Sequence, residues 1–312
     1  SHLAQMLTHI TDIVMLGWYS IDALAAVVLA GQLYFVIFIV GSGFAFAVMP
    51  MCAAAAGAND DKQMRRSVRM GAWIVTGYGI LFALPLWFLK PLLLMLGQQA
   101  DLAQIAQDYM RIAILGLFPG LWIMVIKSYL SALERAQIVL IATLVAAVAN
   151  VGFNYALIFG NFGFPELGLK GAAIASLSTH VFSCAVVIGY ILVFVKQHSL
   201  FQRLWKSDPD MLSEVFKLGW PIGMTLLSET GLFAASAVMM GWLGTMPLAA
   251  HGIALQLASL TFMLHLGLSN AATVRAGNAL GSKDVSHLAR GGLVALVLSV
   301  LIALITIVVF IL

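Results

Sequence analysis

Two acidic residues of this 312-residue sequence stand inside long apolar runs: Asp12, within Leu3 to Gly17, and Glu229, in the middle of Val215 to Leu243. The other eleven of its thirteen acids fall in polar connections or at the ends of apolar runs. Where such a run crosses a membrane, an ionised side chain at mid-depth is destabilising by at least ~2.5 kcal/mol, so it serves a cavity, an ion or a substrate. An intramembrane carboxylate can exchange a proton or a sodium ion, and that is the chemistry to which Asp12 and Glu229 are suited. Asn150 and Asn154 lie four apart in Ala-Asn-Val-Gly-Phe-Asn-Tyr, a spacing that puts both carboxamides on one face of a helix. Ser176 adds a hydroxyl near the start of the following run, Gly-Leu-Lys-Gly-Ala-Ala-Ile-Ala-Ser. Carboxylate, amide carbonyl and hydroxyl are the oxygen ligands that a hard cation prefers. Interhelical hydrogen bonding, worth about 0.6 kcal/mol per pair, is the plainer role for the amides and the hydroxyl, and Asp12 tips the set toward an ion site. His9, His180, His251 and His265 also fall in apolar runs, where hydrogen bonding between helices is the default and proton relay the alternative. Pro50, Pro85, Pro119 and Pro221 are expected to kink the helices that contain them.

The elements that must position these groups follow from composition. Hydrophobic residues make up 62% of the chain and charged residues 9%, with a mean hydropathy of +1.01, a balance that belongs in lipid. A crossing needs about 20 apolar residues. Nine runs qualify as helices: Leu3 to Gly17, Leu24 to Ala56, Met70 to Leu96, Tyr109 to Leu130, Ile138 to Phe159, Leu169 to Val195, Val215 to Leu243, Leu248 to Leu280 and Gly292 to Leu312. The first is short for a full span. The net charge of +3 makes no nucleic-acid patch, because the 16 Lys and Arg are dispersed between apolar runs. Eleven of those 16, among them Lys62, Arg65, Arg66, Arg69, Arg135, Lys196, Arg203 and Lys206, sit at the connections after the even-numbered runs, and Lys127 and Arg275 lie near the same ends, against three toward the other side. The bias toward basic cytoplasmic loops makes those connections cytoplasmic.

Cys52 and Cys184 are the two cysteines, both within apolar stretches, so neither a disulfide framework nor a Cys/His zinc cluster is available. No Gly-x-x-x-x-Gly-Lys-Ser/Thr run is present, which removes direct nucleotide coupling and leaves an ion gradient as the simplest energy source. A displacement of 224 positions lays Asp12–Arg66 on Ser236–Arg290 without a gap, with 17 identities in 55 positions. Gly17 then pairs with Gly241, Trp18 with Trp242, Gly57 with Gly281 and Asp60 with Asp284. Six helices separate the copies, so they enter the membrane in the same direction and form a parallel repeat. Glu229 lies seven residues, about two turns, before Ser236, the counterpart of Asp12, which puts the two acids on similar faces of equivalent helices.

The expected organisation is therefore all-α and polytopic, with two pseudo-symmetric six-helix bundles. Residues 1–196 form the amino-terminal bundle, 197–212 a cytoplasmic linker, and 213–312 the start of the carboxy-terminal bundle. On this frame the sequence is expected to be a piece of a twelve-helix protein, lacking helices ten to twelve.

Three stretches carry a family likeness: Thr-Asp-Ile-Val-Met-Leu-Gly at Thr11 to Gly17, Pro-Ile-Gly-Met-Thr-Leu-Leu-Ser-Glu at Pro221 to Glu229, and Asn150 to Gly171. Together they resemble the multidrug and toxic compound extrusion (MATE) family, in its NorM-like bacterial branch, along essentially the whole chain. The resemblance implies efflux of cationic, amphipathic drugs in exchange for sodium ions or protons, by rocking of two lobes around a central cavity. It implies that Asp12, Asn150 and Asn154 match the amino-lobe cation site, that Ser176 stands where a threonine is often found, and that Glu229 matches the carboxy-lobe acid of helix seven. A sodium ion is then expected at Asp12, Asn150 and Asn154 or at Glu229, with no further cofactor. Members of the related branch carry Asp at the position of Asn154, so the choice between sodium and proton stays open, and the family's acid on helix ten falls beyond Leu312. The resemblance also implies a non-enzymatic, monomeric, multi-pass protein of the bacterial inner membrane, with drugs and the lipid bilayer as partners and no nucleic acid. The competing expectation is a lipid-linked oligosaccharide flippase of the same broad superfamily. Its anionic headgroups want a strongly basic cavity, whereas the apolar runs here hold two acids and few basic residues.

Overall fold

The computed structural model describes residues 11–12 and 14–311, which fold into helices joined by short turns and loops, with no strand among them. Residues 11–12 and 14–19 are helical and form α1. The chain then runs through α2 (Ile21–Gly57), α3 (Asp61–Trp87), α4 (Leu89–Met95), α5 (Ala100–Ala113), α6 (Leu117–Ala132), α7 (Ala136–Phe159), α8 (Gly168–Phe194), α9 (Pro209–Trp242), α10 (Thr245–Gly281) and α11 (Val285–Ile311). A short 3-10 turn, Ile114–Gly116, joins α5 to α6, so Ala100–Ala132 acts as one crossing. Seven helical stretches among the described residues are long and apolar enough to span a membrane. At 37 residues and about 1.5 Å per residue, α2 outreaches a hydrocarbon layer of about 30 Å.

Eight of the nine apolar runs reappear as these helices, with corrections at their ends; of the first, Leu3 to Gly17, residues 11–12 and 14–17 are helical and residues 3–10 lie outside the described residues. The helix expected from Met70 begins at Asp61, because Asp60 caps it through a bond from Gln63 N to its Oδ1 at 2.9 Å, and charged residues prolong a capped helix readily. The same helix stops at Trp87, so the run Met70 to Leu96 is two helices broken at Phe88. The run expected from Tyr109 starts at Ala100, and α9 starts at Pro209, inside the segment 197–212 expected to be linker. All four prolines lie within helices, Pro50 in α2, Pro85 in α3, Pro119 in the first turn of α6 and Pro221 in α9.

The 224-residue displacement has a structural counterpart at the turns after α2 and α10. Asn59 and Lys283, equivalent positions, both adopt the left-handed conformation, with φ of 54° and 58°. The equivalent Asp60 and Asp284 each accept from the backbone three residues on, Gln63 N and His287 N, both at 2.9 Å.

Helix α2 is the central element of the arrangement, touching α3, α5, α6, α9 and α10. The main core lies among α2, α3, α5, α6 and α8, around Phe44, Met64, Met110, Leu121, Tyr129 and Ile191. A smaller cluster of Met15, Leu16, Val27, Ile158 and Ala172 holds α1 against α2, α7 and α8. Where α2 crosses α10 the backbones meet directly. A β-carbon on Gly57 would overlap the Asn278 carbonyl oxygen, and one on Gly281 would overlap the Ala54 carbonyl oxygen. Both glycines and both carbonyls are repeat partners, so the crossing is reciprocal. Helix α11 packs on α10 and leaves Leu293, Leu296, Leu301 and Leu304 exposed, a surface suited to lipid or to further helices.

The connections that the basic bias assigns to the cytoplasm gather at one end. Arg66 pairs with Asp208 through two hydrogen bonds, the second from Nη2 to Oδ1 at 2.9 Å. The Trp73 indole donates to Leu204 O at 2.7 Å, His198 Nδ1 lies 3.0 Å from Asp61 Oδ1, and Asn278 Nδ2 lies 3.4 Å from Glu134 Oε1. The segment between α8 and α9 is thus fastened to the start of α3. The Arg66 guanidinium holds the Asp208 carboxyl down at about 2, below its ordinary 3.8.

Candidate functional site

Asp12 enters the bundle on α1, whose apolar neighbours Met15 and Leu16 are buried against α7 and α8. Its carboxylate is half-buried. Facing it, α7 and α8 approach unusually closely, because a β-carbon on Gly171 would overlap the Leu157 carbonyl oxygen and sit 3.0 Å from Ile158 N. That contact lets the polar faces of the two helices interlock one to two turns further along. Asn150 and Asn154 project from α7, both fully buried, as the four-residue spacing requires.

Every polar group of the cluster has a defined direction. Asn154 Nδ2 donates to Asp12 Oδ1 and also to Asn150 Oδ1 at 3.1 Å. Asn150 Nδ2 donates to Thr179 Oγ1 at 3.3 Å, and Thr179 donates onward to Ala175 O at 2.8 Å. From the other side the Ser176 hydroxyl donates to Asp12 Oδ2 at 3.3 Å. The two carboxylate oxygens thus meet α7 through Asn154 and α8 through Ser176. Asn154 Oδ1 is buried and has no hydrogen-bond donor among the described residues. A buried carbonyl oxygen left without a donor is rare enough to need a reason, and a cation beside a carboxylate supplies one. The donor set is carboxylate, amide and hydroxyl; no group of three or more His, Cys, Asp or Glu side chains among the described residues could hold a metal ion.

Four of the five residues singled out from the sequence, Asp12, Asn150, Asn154 and Ser176, thus meet in one place. Glu229 does not join them. It stands exposed on α9. Thr179 is the member that sequence reasoning missed. It lies three residues beyond Ser176, hence on the same face of α8, and that spacing was the available signal. The histidines make local bonds: His180 and His265 approach the carbonyls four residues back, Ser176 O at 2.8 Å and Thr261 O at 3.1 Å. His251 Nε2 lies 3.1 Å from Ser236 Oγ, joining α10 to α9 at the repeat position of Asp12. His9 lies outside the described residues.

Comparison with known proteins follows the same lines. The MatE family model matches residues 1–156 and 221–312. The chain is 48% identical over 302 residues to the probable multidrug resistance protein NorM of Rhizobium meliloti (strain 1021), covering 96% of this chain and 65% of that protein. It is 45% identical over 307 residues to the probable multidrug resistance protein NorM of Agrobacterium fabrum (strain C58), covering 97% and 66%. The chain therefore spans about two thirds of the length of these curated relatives. In fold it is similar to an outward-facing multidrug resistance MATE family transporter of the MOP superfamily, with a TM-score of 0.85 at 21% identity, covering 99% of this chain and 68% of that one.

Proposed function

We propose that this chain, which belongs to the MatE family, forms the larger part of a secondary active multidrug efflux antiporter that exchanges cationic, amphipathic drugs for sodium ions or protons. It is a multi-pass protein of the bacterial inner membrane. The observation that carries the reading is the Asp12 cluster: a carboxylate bonded to Asn154 and Ser176, beside a buried Asn154 carbonyl oxygen with no donor among the described residues. A buried carbonyl oxygen without a donor, next to a carboxylate, suits a positive charge. A transported cation supplies that charge and can be given up when the surroundings change. The probable multidrug resistance proteins among its relatives support drugs as the second cargo.

Exchange requires that cation and drug favour opposite arrangements of the two lobes, since a ligand that binds both states equally shifts nothing. Asp12, Asn150, Asn154 and Ser176 hold the cation in the amino-terminal lobe; Glu229, on the leading helix of the other lobe, is the second acid of the scheme. The protein works as a monomer, because each lobe supplies its own half of the pathway. Ethidium efflux from cells tests the assignment in the full-length protein. The Asp12→Asn variant, present in the membrane at the normal level, is expected to lose efflux about tenfold or more. Efflux at the wild-type rate with the same dependence on cations overturns the reading.

A further inference from the structure

The hydrogen bonds around Asp12 form a chain whose polarity is set at its far end. Thr179 is 7% exposed, and its single hydroxyl proton goes to Ala175 O at 2.8 Å. Toward α7 the oxygen can therefore only accept, which obliges Asn150 to present Nδ2 to it and to turn Oδ1 toward Asn154. Asn154 must then meet both Asn150 Oδ1 and Asp12 Oδ1 with its amide nitrogen, and its two protons are used up. Its own Oδ1 is what remains, buried and without a donor among the described residues. Reversing the amides is blocked at both ends. Asn154 Oδ1 would face the Asp12 carboxylate, and Asn150 Oδ1 would face a threonine oxygen whose proton is already committed.

We propose that Thr179 is a positioning residue for cation binding: by accepting from Asn150 it fixes both carboxamides so that the Asn154 carbonyl oxygen is kept free for the cation held by Asp12. The inference rests on the proposed cation coupling at Asp12. It assigns Thr179 no contact with the ion, only control over which atom of Asn154 the ion meets.

The test compares Thr179→Val, which keeps the shape and removes the hydroxyl, with Thr179→Ser, which keeps the hydroxyl. Full-length protein in proteoliposomes is titrated with sodium chloride at fixed pH, and separately over a pH series without sodium, with ethidium as cargo. Thr179→Val is expected to shift the half-saturating cation concentration about tenfold, or the midpoint about one pH unit where protons alone drive the wild type. The ethidium KM should stay unchanged and Thr179→Ser should behave as wild type. A Thr179→Val protein with unaltered cation dependence overturns the proposal, as does a Thr179→Ser protein as impaired as Thr179→Val, which would mark a packing role. Should Thr179→Val not accumulate, the sodium-induced rise in Tm of Thr179→Ala is read instead: a reduced rise supports the proposal and a wild-type rise overturns it. If Asp12→Asn itself retains cation-dependent efflux, the coupling assignment falls, an outcome separable from failure of Thr179 alone.

Discussion

Substituting alanine at the reciprocal crossing of α2 and α10 should open the cytoplasmic side of the protein. A β-carbon on Gly281 would overlap Ala54 O and stand 2.8 Å from Ala54 C and 2.9 Å from Ala58 N; one on Gly57 would overlap Asn278 O and stand 2.8 Å from Asn278 C. These neighbours are backbone atoms, so no side chain can swing aside and the helices themselves must separate. Overpacking of this kind is destabilising by about 1–3 kcal/mol. Taking about 2 kcal/mol, the closed arrangement loses about thirtyfold in population relative to arrangements in which α2 and α10 are apart. The same separation relieves both clashes, so the pair Gly57→Ala and Gly281→Ala should lose little more than either single change, a non-additive result. Spin labels on Ala58→Cys and Ser282→Cys, in a full-length background with Cys52→Ala and Cys184→Ala, report the distance between the two turns. A distance distribution identical to wild type in both single variants refutes the reasoning. So does a double variant whose opening free energy equals the sum of the singles.

Two further outcomes follow from contacts elsewhere. Asp208→Asn preserves the capping oxygen that Met211 N meets at 3.3 Å but removes the ion pair with Arg66, a partly exposed pair worth about 1 kcal/mol or less, so hydrogen exchange over residues 199–208 should quicken by up to about fivefold. Because Asp208 is held at about 2 in the folded protein and its ordinary value is 3.8, the wild-type linker should keep this protection above pH 3.8, lose it as the pH falls toward 2, and respond more than Asp208→Asn over that window. Gly171→Val should force α7 from α8 and separate Asn150 from Thr179, raising the half-saturating cation concentration while leaving the amount of membrane protein measured by immunoblot unchanged; an unaltered cation dependence counts against the close crossing as the site's support.

The fold was legible in the sequence because lipid imposes a coarse rule. Long apolar runs had to be helices, and the identical Asp60 and Asp284 turned out to be equivalent caps on equivalent turns. Reading hydrophobicity alone placed helix starts too late at Met70 and Tyr109, since Asp61–Arg69 and Ala100–Asp108 are polar enough to leave the apolar run yet remain helical. The site was legible where a rule of rarity applied, at Asp12, and where periodicity applied, at Asn150 and Asn154. Thr179 was not, because hydroxyls are common in apolar helices and its role comes from which way its proton points. Glu229 was singled out by the same rarity and is exposed on α9, apart from the Asp12 cluster.

The twin turns after α2 and α10 say what duplication preserved. Glycine, carbonyl crossing, left-handed residue and capping aspartate survive in both copies, while Asp12 has Ser236 as its counterpart, bonded to a histidine. Ancestry was retained where the two copies cross and relaxed at the position of Asp12. Side chains at the Asp12 position can thus diverge between the copies while the backbone crossing that joins them stays the same.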